Sequence, residues 1–208
     1  MCVKELCVLN VYSHLHVSRI VRRYIQREFG VHLPVMTFAY GNMRPDFSPK
    51  CKQIPHYKKD MYENIRQEIS DLANCEKEKM NRFVLADRLG VICHYLCDFF
   101  CYAHSEKFTG SLREHFKYES LLNHYIKQRR RTCEQVNFLA DAQITTNLAD
   151  LLERLDEQYE NYIRLQTQPG FDMVCALQAC IEVTVRVLAI IICKSQVSTR
   201  VHRDQVLA

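Results

Sequence analysis

Cys-His-Tyr-Leu-Cys-Asp-Phe-Phe-Cys-Tyr-Ala-His, residues 93–104, is followed after a turn by His-Phe-Lys-Tyr-Glu, residues 115–119. His94 and Asp98 stand four residues apart, and His115 and Glu119 repeat that spacing. At about 100° of rotation per residue, both members of each pair project from the same side of a helix. The stretch therefore predicts a helical hairpin, with His104 just past the end of its first helix.

The polar side chains of this hairpin are imidazoles and carboxylates, the donors that suit zinc and related divalent ions. The alternative is a set of scattered surface residues with one capping histidine. Leu96, Phe99 and Phe100 argue against it, because an apolar helix that buries an unpaired carboxylate loses hydration without compensation. A bound cation removes that cost. The sequence therefore predicts a metal site in the hairpin.

The composition favours one helical domain. The 208 residues are enough for a sizeable core, so we expect a single domain over residues 1–208. The chain has no tryptophan and only five glycines and five prolines, and sparse helix breakers favour an all-α fold. The net charge of +4 is too small to indicate a nucleic-acid partner by itself.

The eleven cysteines form neither a disulfide framework nor a paired CxxC module. Cys93, Cys97 and Cys101 make an i, i+4, i+8 stripe, which predicts reduced thiols packed as small apolar side chains. Reduced thiols predict a cytoplasmic location, and the start of the chain lacks the apolar segment of a secretory signal. The most apolar segment, residues 171–193, contains charged side chains, so we expect a core helix and not a membrane span.

Capping and breaking residues predict the other helices. We expect Ser13 to cap a helix that runs to Phe29 and stops at Gly30. A short helix should follow Pro34 and break in the segment from Gly41 to Phe47. Further helices are expected over residues 59–74, from about residue 79 through His94 and Asp98, through His115 to about residue 130, from residue 146 to the break at Pro169-Gly170 and over residues 171–193, with a frayed polar tail from residue 195.

Three more candidate residues stand outside the hairpin. Asp46 and His56 flank a loop that contains prolines, and they are either plain loop residues or ligands presented by a rigid scaffold. His14, near the start of the first helix, has the common alternative of a surface or capping histidine. The four lysines of the loop form either a solvated basic segment or a rim that attracts anions: Lys50, Lys52, Lys58 and Lys59.

In chain order the candidate motifs are Ser13-His14-Leu15, Asp46-Phe47, His56-Tyr57, His94-x3-Asp98-x5-His104 and His115-x3-Glu119. Their order and spacing closely resembles the zinc-dependent phospholipase C family of bacteria. The segment Gly41-Asn-Met-Arg-Pro-Asp46 also resembles the family's Gly-x3-Pro-Asp element. The motifs span about residues 13–119, and the resemblance implies an all-α, multi-helix fold of that type. Fungal single-strand nucleases share this fold and a trinuclear zinc site.

The resemblance implies two or three zinc ions. One would be held by Asp46, His56 and His94, a second by His104, His115 and Glu119, and a third by His14 and Asp98, with Asp98 bridging to the first. It further implies Asp46 and Glu119 as catalytic carboxylates and Phe47 as an aromatic wall beside the substrate headgroup. Secreted members use an N-terminal tryptophan as an additional ligand. Here either Cys2, exposed by removal of Met1, takes that place, or the terminus is uninvolved and only two zinc ions bind.

The implied activity is hydrolysis of a phospholipid or related phosphodiester by a metal-activated water, with transient contact with a membrane surface. The alternatives are a single-strand nuclease of the same fold and a non-catalytic helical protein with structural zinc. Structural sites are closed and rich in cysteine, whereas the eight donors here are histidine, aspartate and glutamate, which favours an open hydrolytic site. No stable nucleic-acid partner is expected, and no spacing indicates a cysteine–histidine nucleophile.

Overall fold

The computed structural model describes residues 3–48, 56–75, 80–139, 144–165 and 168–206, with side chains described between residues 11 and 196 of these ranges. Seven α-helices occupy this part of the chain: α1 (Val3–Phe29), α2 (Val35–Phe47), α3 (Lys58–Asn74), α4 (Arg82–Phe99), α5 (Leu112–Gln135), α6 (Leu148–Arg164) and α7 (Pro169–Val206). A short 3-10 turn, Tyr102–His104, joins α4 to α5. No strand occurs in these ranges, so the predicted all-α fold is confirmed.

Polar caps set the start of three helices. The side chain of Asn81 accepts a hydrogen bond from the backbone N–H of Phe83 at 2.8 Å at the start of α4. Ser111 and Glu114 form a reciprocal capping box at the start of α5. Asn147 caps α6. Each cap satisfies backbone donors that have no partner within the first helical turn.

Two predictions near the N-terminal end are wrong. Ser13 does not cap α1, which begins at Val3, because no glycine or proline interrupts the chain between Val3 and Phe29. The predicted break between Gly41 and Phe47 is also absent, since α2 is continuous and contains Pro45. Packing against α4 holds α2 together in spite of its breaker residues.

The other helix boundaries differ less. The helix α4 begins at Arg82, α5 continues past residue 130 to Gln135, and α3 starts one residue before the predicted position. The helix α7 extends into the predicted tail as far as Val206, in a segment without glycine or proline, and the fraying of this tail stays a prediction. The charged break at residues 76–79 and most of the proline-containing loop, residues 49–55, lie outside the described residues.

Backbone contact between α2 and α4 is made possible by two glycines. A Cβ atom at Gly90 would lie 2.5 Å from the carbonyl oxygen of Phe38, and a Cβ at Gly41 would overlap the carbonyl of Asp87. Side chains at these positions would force the two helices apart. The Gly41 segment therefore serves a helix–helix contact and not a chain break.

One helix in the described part of the chain is long and apolar enough to cross a membrane, namely residues 169–196 of α7, with a mean hydropathy of 2.0. Within the fold, 78% of this apolar window is buried. It also contains the buried pair Arg186 and Glu182, whose charged atoms lie 3.0 Å apart. These features agree with the predicted core helix. Each buried Leu or Ile in such a core contributes about 1.5–3 kcal/mol.

Candidate metal centre

The eight predicted donor residues lie together in one cluster. They come from the helices α1, α2, α4 and α5, from the segment just before α3 and from the 3-10 turn: His14, Asp46, His56, His94, Asp98, His104, His115 and Glu119. Contacts of 4.0 Å or less link all eight in a continuous chain. Helices that are distant in sequence therefore meet at one buried polar site.

Asp98 is at the centre of this cluster. Its Oδ1 lies 3.4 Å from Nε2 of His14 and 4.0 Å from Nε2 of His104. Its Oδ2 lies 2.9 Å from Nδ1 of His56 and 3.2 Å from Nε2 of His94. The two oxygens thus face different pairs of histidines, which is the arrangement that a carboxylate shared by two ions requires.

Asp46 faces the same histidines from α2. Its oxygens lie 3.8 Å from Nε2 of His14, from Nδ1 of His56 and from Nε2 of His94. Oδ2 of Asp46 and both ring nitrogens of His14 are buried without a hydrogen-bond partner in the described part of the chain. Buried polar atoms without partners are rare and unfavourable. A divalent cation fits this donor set, because it would satisfy these atoms together.

A second group lies between the 3-10 turn and α5. Oε1 of Glu119 is 3.0 Å from Nε2 of His104 and 3.0 Å from Nε2 of His115. His104 and Glu119 are buried, whereas 14% of the His115 side chain and 17% of the His56 side chain reach solvent. The cluster therefore has a solvent-accessible edge, unlike the closed structural zinc sites of proteins.

Three groups of donors have ligand atoms within 4.8 Å of one another, a spacing that could hold a metal ion: His14, Asp46 and His94; His56, His94 and Asp98; His104, His115 and Glu119. The first two groups share His94 and so describe one region of the cluster. The third is the set predicted for the second zinc ion. The assignment of individual ligands to individual ions stays a prediction.

The backbone of α2 orients His94. The Nδ1–H of His94 donates a hydrogen bond to the carbonyl oxygen of Asn42 at 3.0 Å. This bond leaves the Nε2 atom directed at Asp46 and Asp98, just as a hydrogen bond from one ring nitrogen orients the other in histidines that bind metals. Sequence reasoning missed Asn42, because a backbone carbonyl carries no side-chain signal.

Histidine contacts lower the pKa of Asp98. Burial by itself would raise the pKa of Asp98, but the charges of His94 and His104 and the contacts with His14 and His56 outweigh it, so the pKa of Asp98 lies well below its ordinary value. Ionised carboxylates are the form that binds a cation.

The same balance acts on Glu119 and on His14. Burial would raise the pKa of Glu119, but hydrogen bonds with His104 and His115 lower it below the ordinary value. Burial would lower the pKa of His14, whereas the contact with Asp98 and the charge of that carboxylate raise it well above the ordinary value.

An exposed aromatic ring other than the predicted one lies beside the cluster. The ring of Phe47, predicted as the headgroup wall, follows Asp46 in the chain but packs edge-on against Tyr40, with centroids 5.8 Å apart. Tyr57 instead places its ring 6.0 Å from that of His104 and is 41% exposed. The role of Phe47 stays a prediction, and Tyr57 is an exposed ring beside the cluster that sequence reasoning did not select.

A thiol also lies beside the cluster. Cys97 lines a cavity of about 30 Å³ next to His14, and its Sγ is 3.7 Å from Sγ of Cys180. The hydrogen bond with Cys180 and, against the effect of burial, the interaction with His14 lower the pKa of Cys97 to about 7. The other two thiols of the predicted stripe are free and buried. Cys2, predicted as a terminal ligand, lies outside the described residues.

Two of the four loop lysines can be placed. The ammonium of Lys58 lies over the rings of Tyr62 and Tyr159, at 3.7 and 4.0 Å from their centroids, and that of Lys59 is 5.8 Å from the ring centroid of Tyr57. Lys50 and Lys52 lie outside the described residues. Of the two lysines that can be placed, Lys59 is the one that contacts an aromatic residue next to the cluster.

Comparison with known families agrees with this geometry. A family model described as zinc dependent phospholipase C matches residues 13–167, which include all eight cluster residues. Comparisons with curated proteins and with solved structures found no match. The family match covers more than half of the chain, and the chain therefore belongs to the zinc-dependent phospholipase C family.

Proposed function

We propose that this protein is a zinc-dependent phosphodiester hydrolase that cleaves a phospholipid between the glycerol oxygen and phosphorus. The observation that carries the proposal is the convergence of eight histidine, aspartate and glutamate donors in a buried cluster with a solvent-accessible edge. This donor set contains no cysteine, and it lies within the segment matched to the family. A catalytic site is favoured over structural zinc for both reasons.

The eight donors would hold two or three zinc ions in the arrangement implied by the family resemblance. Asp98 would be shared between two of them, because its two oxygens face different histidines. Zinc bound here would lower the pKa of a coordinated water and offset the negative charge that develops on the phosphoryl oxygens.

Side chains of the protein would accept the proton of the attacking water and orient the histidine ligands. Asp46 is suited to take it from the attacking water, because its Oδ2 is buried and has no hydrogen-bond partner among the described residues. The water oxygen forms a bond to phosphorus, the bond from phosphorus to the glycerol oxygen breaks, and the proton passes to that leaving oxygen. Glu119 orients His104 and His115 through its two 3.0 Å contacts. The products are a diacylglycerol and a phosphomonoester.

The test is hydrolysis by the zinc-loaded protein. We expect release of nitrophenol from p-nitrophenylphosphocholine, loss of activity with a chelator and recovery with zinc. Asp46→Asn should lower turnover by about 10²–10⁴. The exposed carboxylate Glu160, changed to Gln, is the matched control and should leave turnover unchanged.

The substrate panel separates the alternatives. Phosphatidylcholine, phosphatidylethanolamine and a single-stranded oligonucleotide are assayed with the same zinc-loaded sample. Cleavage of the oligonucleotide alone would move the protein to the nuclease branch. A fully zinc-loaded protein that hydrolyses no phosphodiester would contradict the proposal and favour structural zinc.

A further inference from the structure

A cationic groove lies between α1, α2 and α5. It has a volume of about 370 Å³, and none of its lining residues belongs to the donor cluster. Four guanidinium groups line it, those of Arg19, Arg22, Arg23 and Arg130, beside the apolar side chain of Val35. A groove of this size and charge can accept a phosphate group, for which arginine is the preferred partner.

The groove contains more arginines than acidic partners for them. Glu134 forms ion pairs with Arg23, with Arg19 at 3.5 Å and with Arg130 at 3.6 Å, so three cations share one carboxylate. Arg22 donates only to the neutral side chain of Gln26, at 3.3 Å, and has no acidic partner in the described part of the chain. The groove therefore carries surplus positive charge.

Cations from two helices line this groove together. Arg19, Arg22 and Arg23 come from α1 and Arg130 comes from α5. Burial and the charges of Arg23 and Arg19 lower the pKa of Arg22. The crowding of these cations would attract an anion.

An exposed apolar stripe borders this groove on α2. Met36, Tyr40 and Phe47 are 80%, 47% and 40% exposed. Their spacings of four and seven residues place them on one face of the helix. Val35, which is exposed and lines the groove, joins the stripe to it. A contiguous row of exposed apolar residues beside a charged groove marks an interaction surface.

The stripe connects the groove to the donor cluster. Near the end of α2, Asp46 contacts His14 of α1. Earlier in α2, Val35 and Ala39 line the groove together with the residues of α1 that follow His14. Val35 and Ala39 precede Asp46 by eleven and seven residues, which is about 10–16 Å at the rise of a helix. The groove thus lies about two to three helix turns along α2 from Asp46, the donor that this helix contributes to the cluster.

We propose that this face docks on a bilayer that contains anionic phospholipid. The groove takes the phosphate of an anionic lipid, and Met36, Tyr40 and Phe47 enter the headgroup region. Charge complementarity selects the anionic surface. The apolar stripe favours a bilayer over free phosphate or a nucleic acid, because neither of these would bury it. The docking needs neither zinc nor hydrolysis, so it goes beyond the proposed function.

Vesicle sedimentation with the zinc-loaded protein tests the docking. Vesicles of phosphatidylcholine mixed with phosphatidylglycerol should bind the protein, more weakly as salt increases, whereas vesicles of phosphatidylcholine alone should bind it less. Arg22→Gln should weaken the partition coefficient by about five-fold, the effect of one basic residue near an anionic surface. Met36→Ser should also weaken the partition coefficient, and the double variant Arg22→Gln with Met36→Ser should weaken it further. Diacylglycerol release is assayed in the same tubes, so docking and hydrolysis are scored separately.

A double variant with the same chemical changes elsewhere provides the control. Arg164→Gln with Leu165→Ser removes one exposed arginine and one exposed apolar side chain at the end of α6, and it should bind vesicles like the wild type. Equal binding to both kinds of vesicle, or equal loss in the control and in Arg22→Gln with Met36→Ser, would overturn the proposal. Binding of a single-stranded oligonucleotide but not of vesicles would also overturn it. If the double variant does not fold, vesicle binding by the single variants and the salt dependence of binding by the wild type test the proposal.

Discussion

At the residue scale, the donor cluster depends on Asp98. This carboxylate lies within 4.0 Å of four histidines, which come from α1, from α4, from the segment just before α3 and from the 3-10 turn. All four imidazoles contact this one negative charge. Burial would raise the pKa of Asp98, but the histidine contacts outweigh burial and lower it. A change that keeps the shape of Asp98 but removes its charge should therefore affect several donors at once.

We predict that Asp98→Asn loses more than one zinc ion per chain. The amide keeps one donor oxygen but replaces the other by an NH2 group, so it cannot be shared by two cations. Elemental analysis of purified protein measures the loss. Asp60→Asn, an exposed carboxylate in the first turn of α3, is the control and should keep its zinc. Full zinc occupancy in Asp98→Asn would show that this residue does not bridge.

Asp172 gives a pH dependence that is separate from the donor residues. Burial raises its pKa, although the backbone N–H of Tyr102 and the hydroxyl of Tyr118 donate to its Oδ2 at 2.8 and 2.7 Å. A carboxyl group with a raised pKa stabilises the fold below the ordinary aspartate pKa of about 4, and this stabilisation is lost as the pH rises through the folded value.

We therefore predict that the free energy of unfolding of Asp172→Asn rises relative to wild type as the pH increases from about 4. The amide does not ionise and can still accept both hydrogen bonds. Urea unfolding at a series of pH values measures the difference, in which the titration of the donor cluster cancels. A difference that is constant with pH, or that falls, would contradict the raised pKa.

The sequence predicts which residues form the cluster better than it predicts which groups surround them. The eight cluster residues were selected from i, i+4 spacing and from motif order, and the structure brings all eight together. Asn42, Tyr57 and Cys97 were not selected. Their relevance arises from a backbone carbonyl and from contacts between separate elements, and neither leaves a periodic pattern in the sequence.

At the element scale, the pairing of α2 with α4 positions the cluster. The close backbone approach at Gly41 and Gly90 brings the carbonyl of Asn42 to His94. Sequence reasoning interpreted Gly41 and Pro45 as breakers, because local propensity disfavours both inside a helix. The missing side chain of Gly41 instead permits the packing that offsets this cost. Tertiary packing of this kind cannot be deduced from local propensity.

We predict that Gly90→Ala both destabilises the fold and weakens zinc binding. The added Cβ would lie 2.5 Å from the carbonyl of Phe38 and 2.8 Å from the N–H nitrogen of Asn42, so the helices must move apart. Overpacking of this kind costs about 1–3 kcal/mol. Loss of the Asn42 hydrogen bond to His94 should lower zinc affinity by about 10–100-fold.

Urea unfolding and competition with a zinc chelator measure the two effects of Gly90→Ala. Ile69→Val is the control, because it removes a buried methyl group from α3 and costs about 0.5–1.5 kcal/mol without altering the α2–α4 contact. It should leave zinc affinity near that of the wild type. A Gly90→Ala protein with unchanged zinc affinity would show that the Asn42 contact does not orient a ligand.

At the scale of the whole molecule, the cluster ties together elements that are far apart in the sequence. The helices α1, α2, α4 and α5 each contribute a donor, and the family match spans the same region. In the unfolded chain these donors are separated by up to about a hundred residues, so a preformed site exists only in the fold. Zinc binding should therefore stabilise the folded state as a whole.

We predict that removal of zinc lowers the melting temperature. A ligand that binds only the folded state at a hundred times its Kd stabilises it by about 2.7 kcal/mol. For a chain of this size each kcal/mol corresponds to about 2–4 °C, so a shift of about 5–11 °C is expected. Calorimetry with zinc, with a chelator and after zinc is restored measures this shift.

Two histidine variants then locate the source of that stabilisation. His94→Asn removes a donor that two of the three groups share, so its melting temperature should respond much less to zinc. His32→Asn removes an exposed histidine outside the cluster and should respond like the wild type. If wild type and His94→Asn respond equally to zinc, the stabilising ions bind elsewhere on the molecule. If His94→Asn alone loses the response, the folding of four helices and the binding of zinc are one coupled process.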